Sequence, residues 1–160
     1  MDNKFPYNSI LIACSVNTAR SPMAEGFLKH FFKRRNINHI KVNSCGIASN
    51  ARDGMLISMD AKMAMDEIGI TLPSDAMSFD LKKHPELLKG VDLILTLTGK
   101  HKIEIKKLGR VNGKIVLTIK EFAGENGDID DPSMKGIDGF RIARDKIVSC
   151  LVKGLSKYSF

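Results

Sequence analysis

The sequence predicts an α/β fold, a single domain in which a four-stranded parallel sheet is flanked by helices. Short apolar runs rich in β-branched residues alternate along the chain with longer segments of helical periodicity, and no internal repeat is present. The length of 160 residues suits one domain with one apolar core. Because such alternation produces parallel strands with right-handed crossovers, ligands are expected beyond the carboxyl ends of the strands.

The first elements carry the clearest patterns. The apolar run NSILIA (8–13) predicts a buried strand. Ser21 and Pro22 then predict the start of a helix over 22–35, with Ser21 as its N-cap and a basic C-terminal end. The segment HIKVNSC (39–45) predicts the second strand.

The segment 54–70 predicts a second helix, and its methionines carry the prediction of a core face. Met55, Met59 and Met63 recur every fourth residue, as expected of an adaptable core filling, and Gly69 is the predicted C-cap. The alternation then continues with predicted strands at 91–98 and 114–119 and predicted helices at 99–108 and 140–155.

The charge of the chain admits anionic partners without identifying one. The net charge is +7, from 25 Lys and Arg against 18 Asp and Glu. The basic residues are dispersed, and no aromatic-rich RNA-binding pattern accompanies them. Most of these lysines are expected on solvated helix faces, so no nucleic-acid partner is predicted.

The cysteine content points to a reducing compartment. Cys14, Cys45 and Cys150 are too few and too scattered for a disulfide framework or a zinc site. The N-terminal segment 1–14 does not resemble a signal peptide, and no run reaches the length of a membrane span. We therefore expect a cytoplasmic protein with no membrane partner and no metal, in which Cys45 and Cys150 are inert structural residues.

Cys14 has a different setting, because it directly follows the first strand and precedes Arg20 by five intervening residues. A loop that leads from a strand into a helix N-terminus binds anions through inward N–H groups and the helix dipole. The same potential favours a thiolate, and the planar fork of Arg20 can grip two oxygens of a phosphate. Asn17 tolerates the left-handed backbone of a tight loop, and the Ser21 hydroxyl can hydrogen-bond the thiolate.

These residues carry a resemblance to a known family. ILIACSVNTARSPMAEGFL resembles the signature of the low-molecular-weight protein tyrosine phosphatases, which open with a strand, a cysteine, five residues and Arg-Ser. VNSCGIAS, VDLILTLTGKHK and EFAGENGDIDDP are similar to further segments of that family, so the resemblance covers nearly the whole chain. It implies a four-stranded parallel sheet with a phosphate-binding loop after strand 1, an N-terminal extension over 1–7 and a phosphatase domain over 8–157.

The resemblance also implies a mechanism. Cys14 attacks phosphorus to form a phosphocysteine, and Arg20 binds the phosphoryl oxygens together with the loop amides. The implied phosphate-binding residues of the loop are Ser15, Val16, Asn17, Thr18, Ala19 and Ser21. The implied partner is a phosphorylated protein and the implied product is inorganic phosphate, with no cofactor.

The long loop 121–139, rich in glycine and aspartate, is expected to be functional because of its length. Asp128, Asp130 and Asp131 compete there for the role of general acid and base, although aspartates in such loops also serve as turn formers. The acid of the resembling family directly precedes proline, and Asp131 matches it. The other two aspartates are expected to support the loop, and His101 is expected to be a surface or packing residue.

Several positions depart from the family pattern. Val16 stands where the family has Gly, and Ala19 stands where many members carry a second cysteine that can trap an oxidised nucleophile. Ser133 and Met134 follow the Asp-Pro pair, where tyrosine-specific members carry aromatic residues. Thr18 matches the threonine of bacterial protein arginine phosphatases of this family.

Four functions therefore stay open. The first is hydrolysis of phosphotyrosine or similar aryl phosphates, and the second is hydrolysis of phosphoarginine on the same scaffold. Arsenate reduction is less favoured, because it normally relays a disulfide and Cys45 and Cys150 offer no convincing relay. A phosphate-binding module without turnover is disfavoured by the joint presence of Cys14, Arg20 and Asp131.

Overall fold

The computed structural model describes residues 3–160 and contains one all-parallel sheet with the strand order β2-β1-β3-β4. The strands are β1 (Ser9–Cys14), β2 (Lys41–Gly46), β3 (Leu93–Thr96) and β4 (Ile115–Thr118). The helices are α1 (Arg20–Arg34), α2 (Met59–Asp66), α3 (Gly99–Leu108), α4 (Ile119–Phe122) and α5 (Gly136–Leu155), with a short 3-10 helix at Pro85–Leu88. The predicted fold class is confirmed, and all four predicted strands are present with slightly shifted bounds.

The central strand β1 is buried on both faces, as expected of a parallel sheet covered by helices. Ile12 and Cys14 belong to an apolar cluster with residues of α1, α2 and α5. Leu11 and Ala13 point to the other face and pack in a second cluster, which includes Ile105 of α3. The alternation therefore sets the side chain of Cys14 on the α1 face, at the carboxyl edge of the sheet.

The start of α1 differs from the prediction. The helix begins at Arg20, and Ser21 is not its N-cap; no side chain caps this end. The hydroxyl of Ser21 is engaged with Cys14 and Asn17 instead. The first-turn amides of α1 are consequently left without a side-chain acceptor, as an anion-binding helix end requires.

The second predicted helix is shorter than expected, and the prediction that its methionines fill the core is wrong. Helix α2 spans Met59–Asp66, and the exposed fractions of Met55, Met59 and Met63 are 42%, 67% and 48%. Residues 54–57 are not helical, because their backbone is bonded to Ser78: the Gly54 N–H donates to the Ser78 carbonyl, the Ser78 N–H to the Met55 carbonyl, and the Met55 N–H to the Ser78 hydroxyl. The buried face of α2 is formed by Ala61, Ala64 and Met65, and it packs against α1 and α5.

The end of α2 and the long loop also shift. The last regular turn of α2 ends at Asp66, and Gly69 closes the helix as predicted: it is left-handed, with φ of +78°, and the N–H groups of Gly69 and Ile70 donate to the carbonyls of Asp66 and Met65. The loop after β4 is shorter than predicted, because Thr118 and Glu121 form a capping box that starts α4. Helix α5 likewise begins at Gly136, four residues before the predicted start at 140.

The two ends of the described chain pack together, on the side opposite to the carboxyl edge of β1. The Phe5 N–H donates to the Ser159 carbonyl at 3.1 Å, and the Phe5 ring contacts Tyr158 and Phe160. Met1 and Asp2, part of the predicted extension 1–7, lie outside the described residues. Within residues 3–160, no helix combines the length and apolar character needed to cross a bilayer.

Candidate functional site

The candidate site is the loop of residues 15–19, which joins β1 to α1 at the carboxyl edge of the sheet. β1 lies between β2 and β3, so the loop is flanked by the segments that follow both neighbouring strands. This is the position at which open parallel sheets bind ligands. The sequence therefore predicted both the position of the loop and its connection to a helix N-terminus.

The thiol of Cys14 lies at the base of the loop and is surrounded by hydrogen-bond donors. The Asn17 N–H donates to Cys14 Sγ at 3.3 Å, and Ser21 Oγ lies 2.9 Å from the same sulfur, as predicted. Since Asn17 Nδ2 donates to Ser21 Oγ at 2.8 Å, the Ser21 hydrogen is free to point at the sulfur. Both contacts stabilise a thiolate more than a thiol.

Asn17 holds the loop in its curled form. Its backbone is left-handed, with φ of +64°. Val16, which stands where the resembling family has glycine, does not have a positive φ, so the position does not require glycine. Asn17 Nδ2 also donates to Ser44 Oγ at 2.8 Å, and its Oδ1 accepts from the Phe79 N–H at 2.9 Å. Every polar atom of the Asn17 side chain therefore has a hydrogen-bond partner. Ser44 in turn donates to the carboxylate of Glu25.

The loop carbonyls are bonded outward by neighbouring backbone. The Ile47 N–H donates to the Cys14 carbonyl at 2.9 Å, and the Ala48 N–H donates to the Ser15 carbonyl at 3.0 Å. The Ser58 N–H donates to the Thr18 carbonyl at 2.9 Å. In a trans peptide the carbonyl and the following N–H point in opposite directions, so the corresponding loop amides point inward.

Gly46 makes this bracing possible, because the end of β2 approaches the loop very closely. A Cβ at Gly46 would lie 2.9 Å from the Ser15 carbonyl oxygen and 3.0 Å from the Val16 carbonyl carbon. Both are backbone atoms that cannot rotate away. The absence of a side chain at Gly46 is thus a requirement of the loop geometry.

Arg20 connects this loop to the aspartate-rich loop. The residue is 5% exposed; its Nη1 donates to the Ile129 carbonyl at 2.8 Å and its Nη2 to Ser15 Oγ at 3.3 Å. The Ile129 N–H donates to the Leu97 carbonyl at 2.9 Å, which ties the aspartate-rich loop to the end of β3. Two predicted site residues far apart in sequence, Arg20 and Asp131, are thereby brought to one edge of the sheet.

Of the three competing aspartates, Asp128 and Asp131 have distinct surroundings. Asp128 Oδ1 accepts from the Gly99 N–H at 2.8 Å, so it anchors the loop to α3 as expected of a supporting residue. Asp131 is exposed, and its Oδ1 accepts from the Ser133 N–H at 3.0 Å and the Ser133 hydroxyl at 2.7 Å. Partial burial raises the pKa of the Asp131 carboxyl, but the two Ser133 hydrogen bonds and the positive charge of Arg20 lower it by more. The pKa of Asp131 therefore lies below its ordinary value.

His101 is a site residue whose contact the sequence did not predict. It is 3% exposed in the first turn of α3, and its Nε2 lies 2.8 Å from Ser15 Oγ. Burial and the positive charge of Arg20 lower the pKa of His101 to about 4, so the imidazole is neutral at pH 7. Of the two roles expected for His101, surface residue or packing residue, the structure shows the second. Its packing partner is the cysteine loop itself.

The other two cysteines lie away from the loop and are buried, which agrees with the structural, inert role predicted for them. Cys45 is 0% exposed and belongs to the apolar cluster on the opposite face of the sheet from Cys14. Cys150 is 3% exposed on α5. Burial raises the pKa of both thiols, which keeps them protonated and unreactive.

Comparison with known proteins shows which family the chain belongs to. The pattern of the family described as "Low molecular weight phosphotyrosine protein phosphatase" matches residues 9–157. The chain belongs to this family. Its enzyme class is accordingly that of the phosphoric monoester hydrolases.

Relatives of this phosphatase carry two kinds of name. It is 34% identical over 144 residues to a protein-arginine-phosphatase of Bacillus subtilis, covering 89% of this chain and 91% of that protein. It is 32% identical over 144 residues to the low-molecular-weight protein-tyrosine-phosphatase PtpB of Staphylococcus haemolyticus, covering 90% and 95%. The crystal structure of a low-molecular-weight protein tyrosine phosphatase from T. tengcongensis superposes with a TM-score of 0.82 at 29% identity, covering 93% and 98%.

Proposed function

We propose that this phosphatase hydrolyses phosphotyrosine and similar aryl phosphates on proteins through a phosphocysteine intermediate. The observation that carries the proposal is the surrounding of Cys14 Sγ, where donors from Asn17 and Ser21 converge on the sulfur, in a loop whose Ser15 hydroxyl is bonded to Arg20. Such donors stabilise negative charge on the attacking or departing sulfur and are already in place before a substrate binds. Membership of the phosphatase family supports the same reaction.

In the first step, the Cys14 thiolate attacks phosphorus and the bond from phosphorus to the leaving oxygen breaks. That oxygen takes a proton from Asp131, and the inward loop amides and Arg20 hold the three equatorial oxygens. In the second step, water attacks phosphorus with Asp131 as base, the bond from sulfur to phosphorus breaks, and inorganic phosphate leaves. The Ser21 hydroxyl stabilises the thiolate that is released.

Asp131 needs its proton for the first step although its surroundings favour the carboxylate. A bound phosphate dianion supplies negative charge close to the carboxylate and raises its pKa toward the protonated form. The tether from Arg20 to the Ile129 carbonyl keeps the aspartate-rich loop beside the cysteine loop. No metal or cofactor enters this reaction scheme.

A protein arginine phosphatase is the second candidate function. It is favoured by Thr18 in the cysteine loop and by the relative of that name at 34% identity. The two residues after Asp131-Pro132, Ser133 and Met134, are not aromatic, so they offer no stacking contact to a tyrosyl ring. Arsenate reduction is not proposed, because Cys45 is buried on the face opposite Cys14.

We place the protein in the cytoplasm and its partners among phosphorylated proteins. All three cysteines are free thiols, and the proposed nucleophile works only when reduced. Nucleic acid and membranes are not proposed as partners, since the dispersed lysines supply no dedicated surface for either.

The first prediction concerns Cys14 and Asp131. Cys14→Ser should lower kcat for an aryl phosphate by more than about a thousandfold, because the hydroxyl is a far weaker nucleophile, while inorganic phosphate still binds. Asp131→Asn should lower kcat by about a hundredfold or more, because the leaving group then departs without a proton. Steady-state kinetics and calorimetric phosphate binding measure both effects; turnover that persists in Cys14→Ser would refute the mechanism.

The second prediction concerns the pH profile. Asp131 must be protonated to act as acid, so activity falls as pH rises through its pKa in the complex. Ser133→Ala removes one hydrogen bond to the carboxylate and should move this alkaline limb of kcat to higher pH. In Asp131→Asn the limb should disappear, and Ser156→Ala, an exposed serine beyond α5, should leave it in place. A limb unmoved by Ser133→Ala would contradict the assignment of Asp131.

The third prediction separates the two substrates. Matched peptides that carry phosphotyrosine or phosphoarginine should be hydrolysed with kcat/KM values that favour phosphotyrosine. Isoleucine is bulkier than threonine and has no hydroxyl, so Thr18→Ile should retain phosphotyrosine hydrolysis and lower any activity on phosphoarginine. A wild-type preference for phosphoarginine that Thr18→Ile reverses would establish the second candidate function in place of the first.

A further inference from the structure

His101 is a buried polar residue that the proposed reaction does not use. It lies in the first turn of α3, whose N-cap is Thr98, and it reaches across to the loop between β1 and α1. Its Nε2 lies 2.8 Å from Ser15 Oγ. In the part of the chain that the structure describes, its buried Nδ1 has no hydrogen-bond partner.

The unpartnered Nδ1 indicates which ring nitrogen carries the proton. A buried N–H without an acceptor is rare, whereas a buried acceptor without a donor is better tolerated. The neutral imidazole therefore carries its hydrogen on Nε2 and donates it to Ser15 Oγ. The low pKa of His101 agrees with a neutral ring beside Arg20.

The Ser15 hydroxyl then accepts two hydrogen bonds. One comes from His101 Nε2 and the other from Arg20 Nη2 at 3.3 Å. A serine oxygen has two acceptor positions, so these bonds fix its place relative to both donors. The hydroxyl alone could rotate about its side-chain bond, and His101 removes that freedom.

The guanidinium of Arg20 is thereby held at two points. Nη1 is bonded to the Ile129 carbonyl at 2.8 Å, and Nη2 is bonded to the fixed Ser15 oxygen. A planar group attached at two points keeps its orientation. Without His101 the second point would be free to move.

We propose that His101 is a positioning residue for Arg20 and acts through the Ser15 hydroxyl. The hydrogen bonds from His101 to Ser15 and from Arg20 to Ser15 orient the guanidinium for phosphate binding before the substrate arrives. The proposal rests on the proposed function insofar as Arg20 is taken to bind the phosphoryl group. Pre-organisation of this kind lowers the cost of binding and of reaching the transition state.

A double-mutant cycle tests this series of hydrogen bonds. Ser15→Ala and His101→Leu should each weaken the binding of inorganic phosphate by about five- to tenfold, and the double variant should be no weaker than either single one. The ratio kcat/KM for an aryl phosphate should follow the same pattern. His101→Gln, which offers a side-chain N–H to Ser15, should recover part of the loss.

Ile105→Ala is the matched control for lost packing. Ile105 lies one turn further along α3 and is 0% exposed, so its truncation lowers Tm without touching Ser15. It should leave the dissociation constant of phosphate unchanged. If the losses of Ser15→Ala and His101→Leu multiply, or if folded His101→Leu binds phosphate as the wild type does, the proposal is wrong.

Nitrogen NMR of the imidazole keeps the proposal testable even if His101→Leu does not fold. In the wild type, Nε2 of His101 should carry the hydrogen at pH 7, and Ser15→Ala should shift the Nε2 resonance. A hydrogen on Nδ1, or an Nε2 resonance that does not respond, would overturn the proposal. The binding and NMR measurements need no turnover, so they separate a failure of this proposal from a failure of the proposed reaction.

Discussion

The site depends on one constraint: five residues must stay curled with their amides turned toward one point. Aligned N–H dipoles repel each other, so such a loop needs bonds that hold its other side. The carbonyls of Cys14, Ser15 and Thr18 supply these bonds by accepting from residues 47, 48 and 58. Asn17 supplies the one left-handed residue, and its side chain is bonded at both its oxygen and its nitrogen.

The same constraint explains the residues around the loop. A side chain at Gly46 is excluded because its Cβ would lie only 2.9 Å from the Ser15 carbonyl oxygen. Ser21 bonds the Cys14 sulfur instead of capping α1, which leaves the helix end available to an anion. Arg20 then couples the loop to Ile129, so the nucleophile and the proposed acid are held by one buried cation. The hydrogen bonds of Ser21 and Arg20 thus contribute both to the stability of the loop and to the proposed catalysis, so a substitution that breaks them affects both.

The sequence predicted the sheet, the cysteine loop and the contact of Ser21 with the sulfur, because each follows from local pattern. It failed where a pattern has two structural solutions. Met55, Met59 and Met63 have helical spacing, but Met55 lies in a segment that pairs with distant residues, and Met59 and Met63 lie on the exposed face of α2. Ser44, Gly46 and His101 belong to the site only through tertiary contacts. The Thr-x-x-Glu pattern of Thr118 and Glu121 is a local signal of a helix start, and it marks the end of β4 in the sequence itself.

The most direct test is detection of the covalent intermediate on the Cys14 side chain. Wild-type enzyme and an aryl phosphate are mixed, quenched in acid within milliseconds and digested, and the cysteine peptides are examined by mass spectrometry. The mechanism predicts a phosphoryl group on the peptide that contains Cys14, rising and decaying as inorganic phosphate forms, with none on Cys45 or Cys150. Product formation without phosphorylated Cys14, or a phosphoryl group on another residue, would contradict it.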